Sequence, residues 1–384
     1  MKILVAPDSY KGSLTSPQVC AAIAAGIARV APEAIMDLIP MADGGDGTVE
    51  AVLAATGAKA VLAVVSGPLG APVRAQFAYI PKSETAVIEM ASASGLTLLD
   101  NKALNPLRTS TYGTGQLIRC ALDLGCQRLV IGIGGSATND AGSGMACALG
   151  VRFLDKEGNE LPAGGEALSR LASIDVSGID QRLSLCQVDV ACDVNNPLYG
   201  PNGAAEVYGP QKGATPEMIR TLDDSMMQFA RVLLEQHGID VAHVPGAGAA
   251  GGLGAGLTAF LKATLRSGVD MIAELVGLQE KIQQADLVIT GEGRLDAQSS
   301  MGKTVQGVAR LSHAQGVPVV ALVGSLDPGS LSAGGLAGLT AAFSVLPGPS
   351  SLDQAMLDAA DNVRSTAAQV VRLYIAAQVT RKDP

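Results

Sequence analysis

Residues 2–41 read KILVAPDSYKGSLTSPQVCAAIAAGIARVAPEAIMDLIPM. The short apolar run KILVAP predicts a β-strand, and IMDLIPM predicts a second one. Between them, SLTSPQVCAAIAAGIARVAP predicts a helix, because Ser16 is a good N-cap and Pro17 suits the first helical position. A strand, a helix and a second strand in this order favour a parallel sheet covered by helices.

The same alternation returns in later parts of the chain. GGDGTVEAVLAATG (44–57) predicts a second helix that ends at Gly57. In the C-terminal part we expect strands at 285–293, 318–325 and 339–346, and helices at 303–316 and 352–378. These segments predict a Rossmann-like α/β domain with a parallel sheet.

The middle of the chain follows a different pattern. The stretches 61–80 and 85–95 predict twisted strands joined by Gly/Pro turns, and further on we expect helices at 114–124 and 143–149 around a strand at 127–134. A chain of 384 residues is also too long for one ordinary core. We therefore predict two domains: residues 1–65 and 270–384 form the discontinuous Rossmann-like domain, and residues 66–269 form an inserted second α/β domain.

Composition and charge exclude several classes of protein. The net charge is −9 and no basic run is present, which disfavours nucleic acid and anionic membranes as partners. The most apolar long run, 245–261, is too short and too Gly-rich to span a bilayer, and the N-terminus has no signal-peptide pattern. Six Cys without a CxxC pair indicate reduced thiols, so we expect a cytoplasmic protein. The three His lie away from every motif, which disfavours a zinc site or a His general base.

A glycine loop, GIGGSATNDAGSG (132–144), lies between a predicted strand and a predicted helix. Gly132, Gly134 and Ala137 fit the dinucleotide pattern G-x-G-x-x-A, and Asp155 lies 23 residues after Gly132, so one interpretation is an NAD site. Two features weaken it, because TNDAGSG lengthens the tight turn and Asp155 sits in FLDKEG, a typical hairpin turn.

The same loop also has a second interpretation. It can form a nest of main-chain N–H groups that binds a phosphate or a carboxylate. Its candidate contacts are Gly134, Gly135, Ser136, Asn139 and Asp140. The plain alternative is a tight turn with no ligand.

A second phosphate motif is incomplete. AQSSMGKT (297–304) matches the P-loop pattern except that Ala297 replaces the first glycine, which a true P-loop needs for its backbone path. Lys303 at the start of a helix remains a candidate for phosphate binding, and a solvated surface lysine is the alternative.

Three acidic clusters follow predicted strands, where open α/β sheets build their sites. They are Asp43 and Asp46 in ADGGDGT, Asp193 with Asn195 and Asn196 in ACDVNNPLYG, and Glu292 and Asp296 in GEGRLD. Carboxylates are suitable ligands for Mg²⁺, although Asp-Gly is also common turn chemistry. Three clusters at strand ends together favour a functional role.

The loop after the first strand, PDSYKGS (7–13), carries further polar groups. Ser9, Lys11 and Ser13 lie just beyond the strand, where a lysine can meet an anionic group. An exposed turn lysine is the alternative.

Six blocks, in this order, carry a resemblance to a known family: APDSYKGSLTS, PMADGGDGT, GIGGSATNDAG, CDVNNPLYGPNGAA, YGPQKGA and ITGEGRLDAQSSMGK. The chain resembles the bacterial glycerate kinase family that acts in glucarate, galactarate and glyoxylate utilisation. The resemblance implies two α/β domains with the active site in the cleft, ATP as phosphoryl donor, Mg²⁺, and D-glycerate as acceptor. It implies 2-phosphoglycerate as the product, with 3-phosphoglycerate left open.

The resulting site hypothesis assigns three kinds of role. The predicted catalytic residues are Lys11, Asp193 and Asp296; the substrate- or phosphate-binding residues are Ser9, Ser13, Gly134, Gly135, Ser136, Asn139, Asp140 and Lys303; the metal ligands are Asp43, Asp46 and Glu292. The alternatives from other classes are an NAD-dependent hydroxy-acid dehydrogenase that uses the GxGxxA loop and a non-enzymatic anion sensor. We expect a monomer or a homodimer, and the sequence leaves the general base open.

Overall fold

The structure is a computed structural model that describes residues 1–295, 304–327 and 338–379. Contacts divide the chain into two compact units. Unit 1 comprises residues 1–43, 50–57 and 269–384, and unit 2 comprises residues 44–49 and 58–268.

The strands and helices have the following bounds. The strands are β1 (Lys2–Val5), β2 (Ile35–Leu38), β3 (Lys59–Ser66), β4 (Pro72–Ile80), β5 (Thr85–Glu89), β6 (Arg128–Gly132), β7 (Arg152–Leu154), β8 (Ser173–Asp175), β9 (Gln187–Ala191), β10 (Thr264–Arg266), β11 (Leu287–Leu295), β12 (Val319–Leu326) and β13 (Ala341–Ser344). The helices are α1 (Ser16–Ala28), α2 (Thr48–Ala55), α3 (Ala91–Ser94), α4 (Tyr112–Asp123), α5 (Ser143–Ala148), α6 (Ala204–Tyr208), α7 (Pro216–His237), α8 (Ala249–Leu261), α9 (Gly268–Leu275), α10 (Leu278–Gln283), α11 (Thr304–Ala314), α12 (Leu352–Leu357) and α13 (Ala359–Val379).

Unit 1 is built on a parallel sheet. Its strands lie in the order β13-β12-β11-β1-β2, and each neighbouring pair is parallel. β1 occupies an inner position, because Ile3 pairs with Leu287 on one side and with Met36 on the other. The α/β class with a parallel sheet, predicted from the strand–helix alternation, is confirmed.

Helix α1 packs against α13 on one face of this sheet. Its N-cap is Thr15, one residue before the predicted Ser16, and the Gln18 side chain accepts a 2.9 Å hydrogen bond from the Thr15 N–H. Gly26 allows close approach, since a Cβ there would lie 2.3 Å from the carbonyl oxygen of Arg364. The predicted single helix at 352–378 is two helices that meet at Asp358.

Unit 2 contains a six-stranded mixed sheet in the order β10-β9-β6-β5-β4-β3. The four strands from β10 to β5 are parallel, and β4 and β3 are antiparallel to their neighbours. β3 pairs with β4 along its whole length, from Lys59 to Ser66, and this pairing places it in unit 2. The predicted boundary at residue 65 therefore falls inside β3. By its contacts, the chain passes from unit 1 to unit 2 between residues 57 and 58.

Helix α7 is the longest helix in the described part of unit 2, and the sequence analysis did not identify it. Thr215 caps it, with its hydroxyl accepting a bond from the Met218 N–H, and Pro216 takes the first position. Its buried side chains recur every three or four residues, as in Leu222, Met226 and Phe229. No helix in the described ranges is both long enough and apolar enough to cross a membrane.

Candidate active site

The glycine loop begins where β6 ends at Gly132, on the parallel part of the unit 2 sheet. Gly134 and Gly135 are exposed, so their backbone is accessible to a ligand. Ser136 is buried, and the side chains of Asn139 and Asp140 are completely buried. Of the predicted contact residues, Gly134 and Gly135 are thus accessible from solvent, whereas Ser136, Asn139 and Asp140 are buried.

The loop packs directly against the backbone of the ADGGDG turn, through glycines on both sides. A Cβ at Gly132 would lie 2.2 Å from the carbonyl oxygen of Gly44, and one at Gly134 would lie 3.0 Å from the Cα of Gly45. Gly135 has φ +71°, and a Cβ there would lie 2.8 Å from Oδ1 of Asp46. The exposed carboxylate of Asp46 therefore stands beside the exposed part of the loop.

The acidic cluster around Asp193 joins the same place in unit 2. A Cβ at Gly44 would lie 2.1 Å from the Cβ of Ala191, the last residue of β9. Two residues further on, Asp193 is exposed, and its Oδ1 accepts a 3.2 Å hydrogen bond from the Gly268 N–H. The carboxyl ends of β6 and β9 thus bring together the glycine loop and two carboxylates from separate motifs.

Asp140 has an extensive set of partners inside unit 2. Its carboxylate accepts bonds from the N–H and the hydroxyl of Thr111, at 2.8 and 3.0 Å, and from the N–H groups of Gly142 and Gly144. Burial raises the pKa of the Asp140 carboxyl, and these hydrogen bonds oppose the rise. Through these hydrogen bonds, Asp140 stabilises the conformation of the loop and of the start of α5. A direct contact between Asp140 and a bound anion stays a prediction.

Lys212 is a buried cation that the sequence analysis did not single out. Its side chain is 0% exposed, and its ammonium donates a 2.6 Å hydrogen bond to the carbonyl oxygen of Thr138. Burial lowers the pKa of Lys212 to about 7, while the Asp140 carboxylate acts in the opposite direction. The only sequence signal was its position in YGPQKGA, between two glycines of a tight turn.

Asn139 lies between the two anchored residues of the loop. Neither polar atom of its side chain has a hydrogen-bond partner among the described residues. Buried amide groups are normally satisfied, so this side chain marks a place where a ligand or a water molecule completes the bonding. Its role in ligand binding stays a prediction.

Unit 1 carries its own polar group at the end of β1, centred on Asp8. Its Oδ1 accepts a 2.6 Å bond from the Ser9 N–H, and its Oδ2 accepts a 2.5 Å bond from the hydroxyl of Thr304, the first residue of α11. Burial, together with the nearby Asp43 carboxylate, raises the pKa of Asp8 to about 6. Ser9, Lys11 and Ser13 were the site residues predicted in this loop, and Asp8 was not among them.

Glu292 and Tyr10 lie in the same unit. Glu292, near the end of β11, is buried, and Asp43 is exposed. Tyr10 donates a 2.8 Å hydrogen bond to the carbonyl oxygen of Leu322. Burial and the Glu292 carboxylate raise the pKa of the Tyr10 hydroxyl above its usual range. Tyr10 therefore stays protonated and fixes the loop after β1 to β12.

The remaining predicted residues have varied positions. Lys11 is exposed, and the hydroxyl of Ser13 donates a 2.9 Å bond to the carbonyl oxygen of Met356. Asp296 and Lys303 lie outside the described residues. Within the described ranges, no group of three or more His, Cys, Asp or Glu side chains is close enough to share a metal ion.

The dinucleotide interpretation does not fit the loop geometry. In that motif the helix starts within the glycine pattern, whereas here α5 begins only at Ser143 and is six residues long. Asp155 lies in an exposed hairpin turn, where its carboxylate accepts bonds from the N–H groups of Glu157 and Asn159. The fold is of the α/β class, with glycine-rich and acidic loops at the carboxyl ends of parallel strands, where open α/β sheets usually bind their ligands.

Comparisons with known proteins give the family. A family model described as the glycerate kinase family matches residues 3–375. Glycerate kinase of Bacillus subtilis (strain 168) is 50% identical over 370 residues, which are 96% of this chain and 97% of the relative. Glycerate 2-kinase of Escherichia coli (strain K12) is 48% identical over 365 residues, 94% of this chain and 95% of that protein.

A solved structure agrees with these relatives. The crystal structure assigned to glycerate kinase 2 of Salmonella typhimurium LT2 has a TM-score of 0.89 and 46% identity, and the match covers 98% of this chain and 99% of that one. The chain therefore belongs to the glycerate kinase family. It is a kinase enzyme, a class in which ATP supplies the phosphoryl group.

Proposed function

We propose that this protein catalyses the ATP-dependent phosphorylation of D-glycerate to 2-phosphoglycerate in organic-acid catabolism. The glycerate kinase family covers nearly the whole chain, and one relative is named a glycerate 2-kinase, which supports the choice of the 2-hydroxyl. Transfer from ATP requires that the site position two anions and stabilise the transferring phosphoryl group.

The observation that carries the proposal is the packing of the glycine loop on the ADGGDG turn. Backbone-to-backbone contact at Gly132 and Gly134 leaves no room for side chains there, and the exposed main chain at residues 134–135 stands beside Asp46. Exposed main-chain N–H groups in a glycine loop bind phosphate or carboxylate oxygens. This loop is the proposed anion site of unit 2.

The residues around this loop are suitable for Mg²⁺. Proteins usually hold Mg²⁺ with one or two carboxylates together with waters and substrate phosphates, so a site needs no cluster of three acidic side chains. Asp46, in the turn that packs on the loop after β6, and Asp193, after the end of β9, are exposed carboxylates and are the proposed ligands in unit 2. When bound, Mg²⁺ neutralises part of the phosphate charge. Asp43 and Glu292 stay proposed ligands in unit 1.

Asp8 is the proposed proton acceptor for the glycerate hydroxyl. Its pKa of about 6 lies closer to neutrality than that of an ordinary carboxyl, which makes it a better base near pH 7 while it remains ionised there. The hydrogen bonds from Ser9 and Thr304 hold the carboxylate in one orientation. As the hydroxyl oxygen attacks the γ-phosphorus, its proton passes to Asp8 and ADP leaves.

Cationic side chains are needed because both substrates are anions and the protein itself carries a net charge of −9. Long-range attraction cannot bring these substrates in, so local cations must compensate. Lys11, exposed in the loop that follows Asp8, is the proposed cation of unit 1, and Lys303 is the proposed partner for phosphate. Asp193 and Asp296 stay candidates for further catalytic roles.

The decisive experiment is a measurement of ADP release by the purified protein with ATP, Mg²⁺ and D-glycerate. We expect glycerate-dependent ADP formation, and no oxidation of NADH when a keto acid is added. ADP formation that does not depend on D-glycerate would contradict the proposal, and NADH oxidation would support the dehydrogenase alternative.

A variant tests the loop within the same assay. Gly134→Val places a branched side chain where the Cβ alone would already lie 3.0 Å from Gly45, and it blocks the approach of a ligand to the main chain. We expect activity to collapse while the far-UV circular dichroism stays native. If the folded variant keeps its activity, the loop is only a turn.

A further inference from the structure

We propose that Lys212 is a positioning residue that holds the anion-binding glycine loop in its working shape through the carbonyl of Thr138. The inference rests on the proposed role of the loop. Lys212 lies in the turn Pro210–Lys212, 74 residues along the chain from Thr138.

The hydrogen bond between the Lys212 side chain and the Thr138 carbonyl is short and buried. Lys212 and Thr138 are both 0% exposed, and the 2.6 Å distance from Nζ to the Thr138 carbonyl oxygen is short for an N–H···O hydrogen bond. A buried ammonium is costly unless it is paired and hydrogen-bonded. The carboxylate of Asp140, two residues beyond Thr138, supplies the opposite charge.

Other elements hold the loop on each side of this bond. The hydroxyl of Thr109 donates a 2.8 Å bond to the carbonyl of Ala137, and the Ala141 N–H donates a 3.1 Å bond to the carbonyl of Gly251. Lys212 therefore bonds a carbonyl that lies between two other anchors. Without its bond, the backbone around Thr138 can rotate, and the shift reaches the exposed residues 134–135.

Backbone strain makes this support necessary. Ala141 has φ +53°, in the left-handed region that non-glycine residues rarely adopt, and Ala250, which precedes the Gly251 that bonds it, has the same φ. Strained backbone conformations of this kind persist only where surrounding contacts hold them in place, and they are frequent at functional sites. The bond from Lys212 to Thr138 holds the loop three residues before the strained Ala141.

The test compares kinetic constants among four variants. Gly134→Ala changes the loop itself and identifies the substrate whose KM depends on it. Lys212→Met keeps the length of the side chain and removes the donor, Lys212→Gln keeps a neutral donor, and Lys82→Met is a matched control at an exposed lysine of the same unit. Thermal unfolding and circular dichroism of each variant establish that it is folded.

We expect Lys212→Met to raise the KM of the same substrate as Gly134→Ala by about ten-fold or more, since small misplacements of a site cost up to about a hundred-fold. The KM of the other substrate should stay within about two-fold. Lys212→Gln should recover part of the loss, and Lys82→Met should match the wild type. A general loss of structure would instead lower the apparent kcat and leave both KM values unchanged.

Two results would overturn the proposal: unchanged kinetics in a folded Lys212→Met variant, or a loss of kcat with both KM values unchanged. If Lys212→Met does not fold, Lys212→Gln is judged by the same criteria. Hydrogen exchange separates this proposal from the proposed function. If the wild type proves inactive, faster exchange of residues 134–140 in Lys212→Gln, with the sheet unchanged, still supports the positioning role, and unchanged exchange refutes it.

Discussion

Replacing Asp8 with Asn should stabilise the protein near neutral pH while it removes the activity. The structure raises the pKa of Asp8 from 3.8 to about 6, chiefly by burial and then by the Asp43 carboxylate. Between these pH values the folded state holds a proton that the unfolded state has released. The free energy of unfolding therefore falls as the pH rises from about 4 to about 6.

The size of the effect follows from the shift. About two pKa units at about 1.4 kcal/mol each give a cost of about 3 kcal/mol above pH 6. An Asn at this position carries no charge and avoids that cost, but it loses the charge-assisted bonds from Ser9 and Thr304. We expect a net gain of about 1–3 kcal/mol in the free energy of unfolding near pH 7.5, and no gain near pH 4.

Urea unfolding followed by far-UV circular dichroism at the two pH values measures this difference. The control is Asp353→Asn, which changes an exposed carboxylate of the same unit and should show a difference of at most about 0.5 kcal/mol at either pH. The reasoning is refuted if Asp8→Asn is less stable than the wild type near pH 7.5, or if the difference does not depend on pH. Retained kinase activity would refute the role of Asp8 as the base.

Three further substitutions test the site and the fold. Gly44→Ala puts a methyl group 2.1 Å from the Cβ of Ala191, so it should shift the ADGGDG turn and lower kcat/KM by about ten-fold or more, measured by ADP release. Asp193→Asn should lower kcat strongly with an unchanged unfolding curve; near-normal activity at saturating Mg²⁺ would exclude Asp193 as a ligand or base. Arg128→Met removes the ion-pair partner 2.8 Å from the buried Asp189 and leaves Arg266, which lies 3.6 Å from the same carboxylate. We expect the free energy of unfolding of unit 2, measured in urea, to fall by about 2 kcal/mol. An unchanged unfolding midpoint would mean that Arg266 alone is sufficient to pair with Asp189.

Local patterns were sufficient to predict much of the fold. The helix at 303–316 and the strands at 285–293 and 318–325 are found within a few residues of their predicted bounds, because apolar runs and caps are encoded in neighbouring residues. Helix α7 was missed although Thr215 and Pro216 form a good N-terminal signal. The predicted boundary at residue 65 differs from the change of unit between residues 57 and 58, because the pairing of β3 with β4 groups β3 with unit 2, and pairing is a contact between distant segments.

The candidate site shows the same limit. The loops of the proposed site were predicted from their glycines and carboxylates, which are visible in the sequence. Asp8 and Lys212 were missed because their distinctive feature is burial, and this depends on partners distant along the chain. Thr304 lies 296 residues from Asp8, and Thr138 lies 74 residues from Lys212. A sequence gives residue types at a loop, but it does not give the environment that changes their pKa.

The identity of the product tests the central claim most directly. The purified protein is incubated with ATP, Mg²⁺ and D-glycerate, and a ¹H–³¹P correlation spectrum of the mixture shows which carbon bears the phosphate. The account predicts that the new phosphorus signal correlates with the proton on carbon 2 of glycerate, as in 2-phosphoglycerate. A correlation with the protons on carbon 3 would contradict the proposed hydroxyl, and the absence of any phosphorylated glycerate would contradict the assignment of glycerate as the substrate.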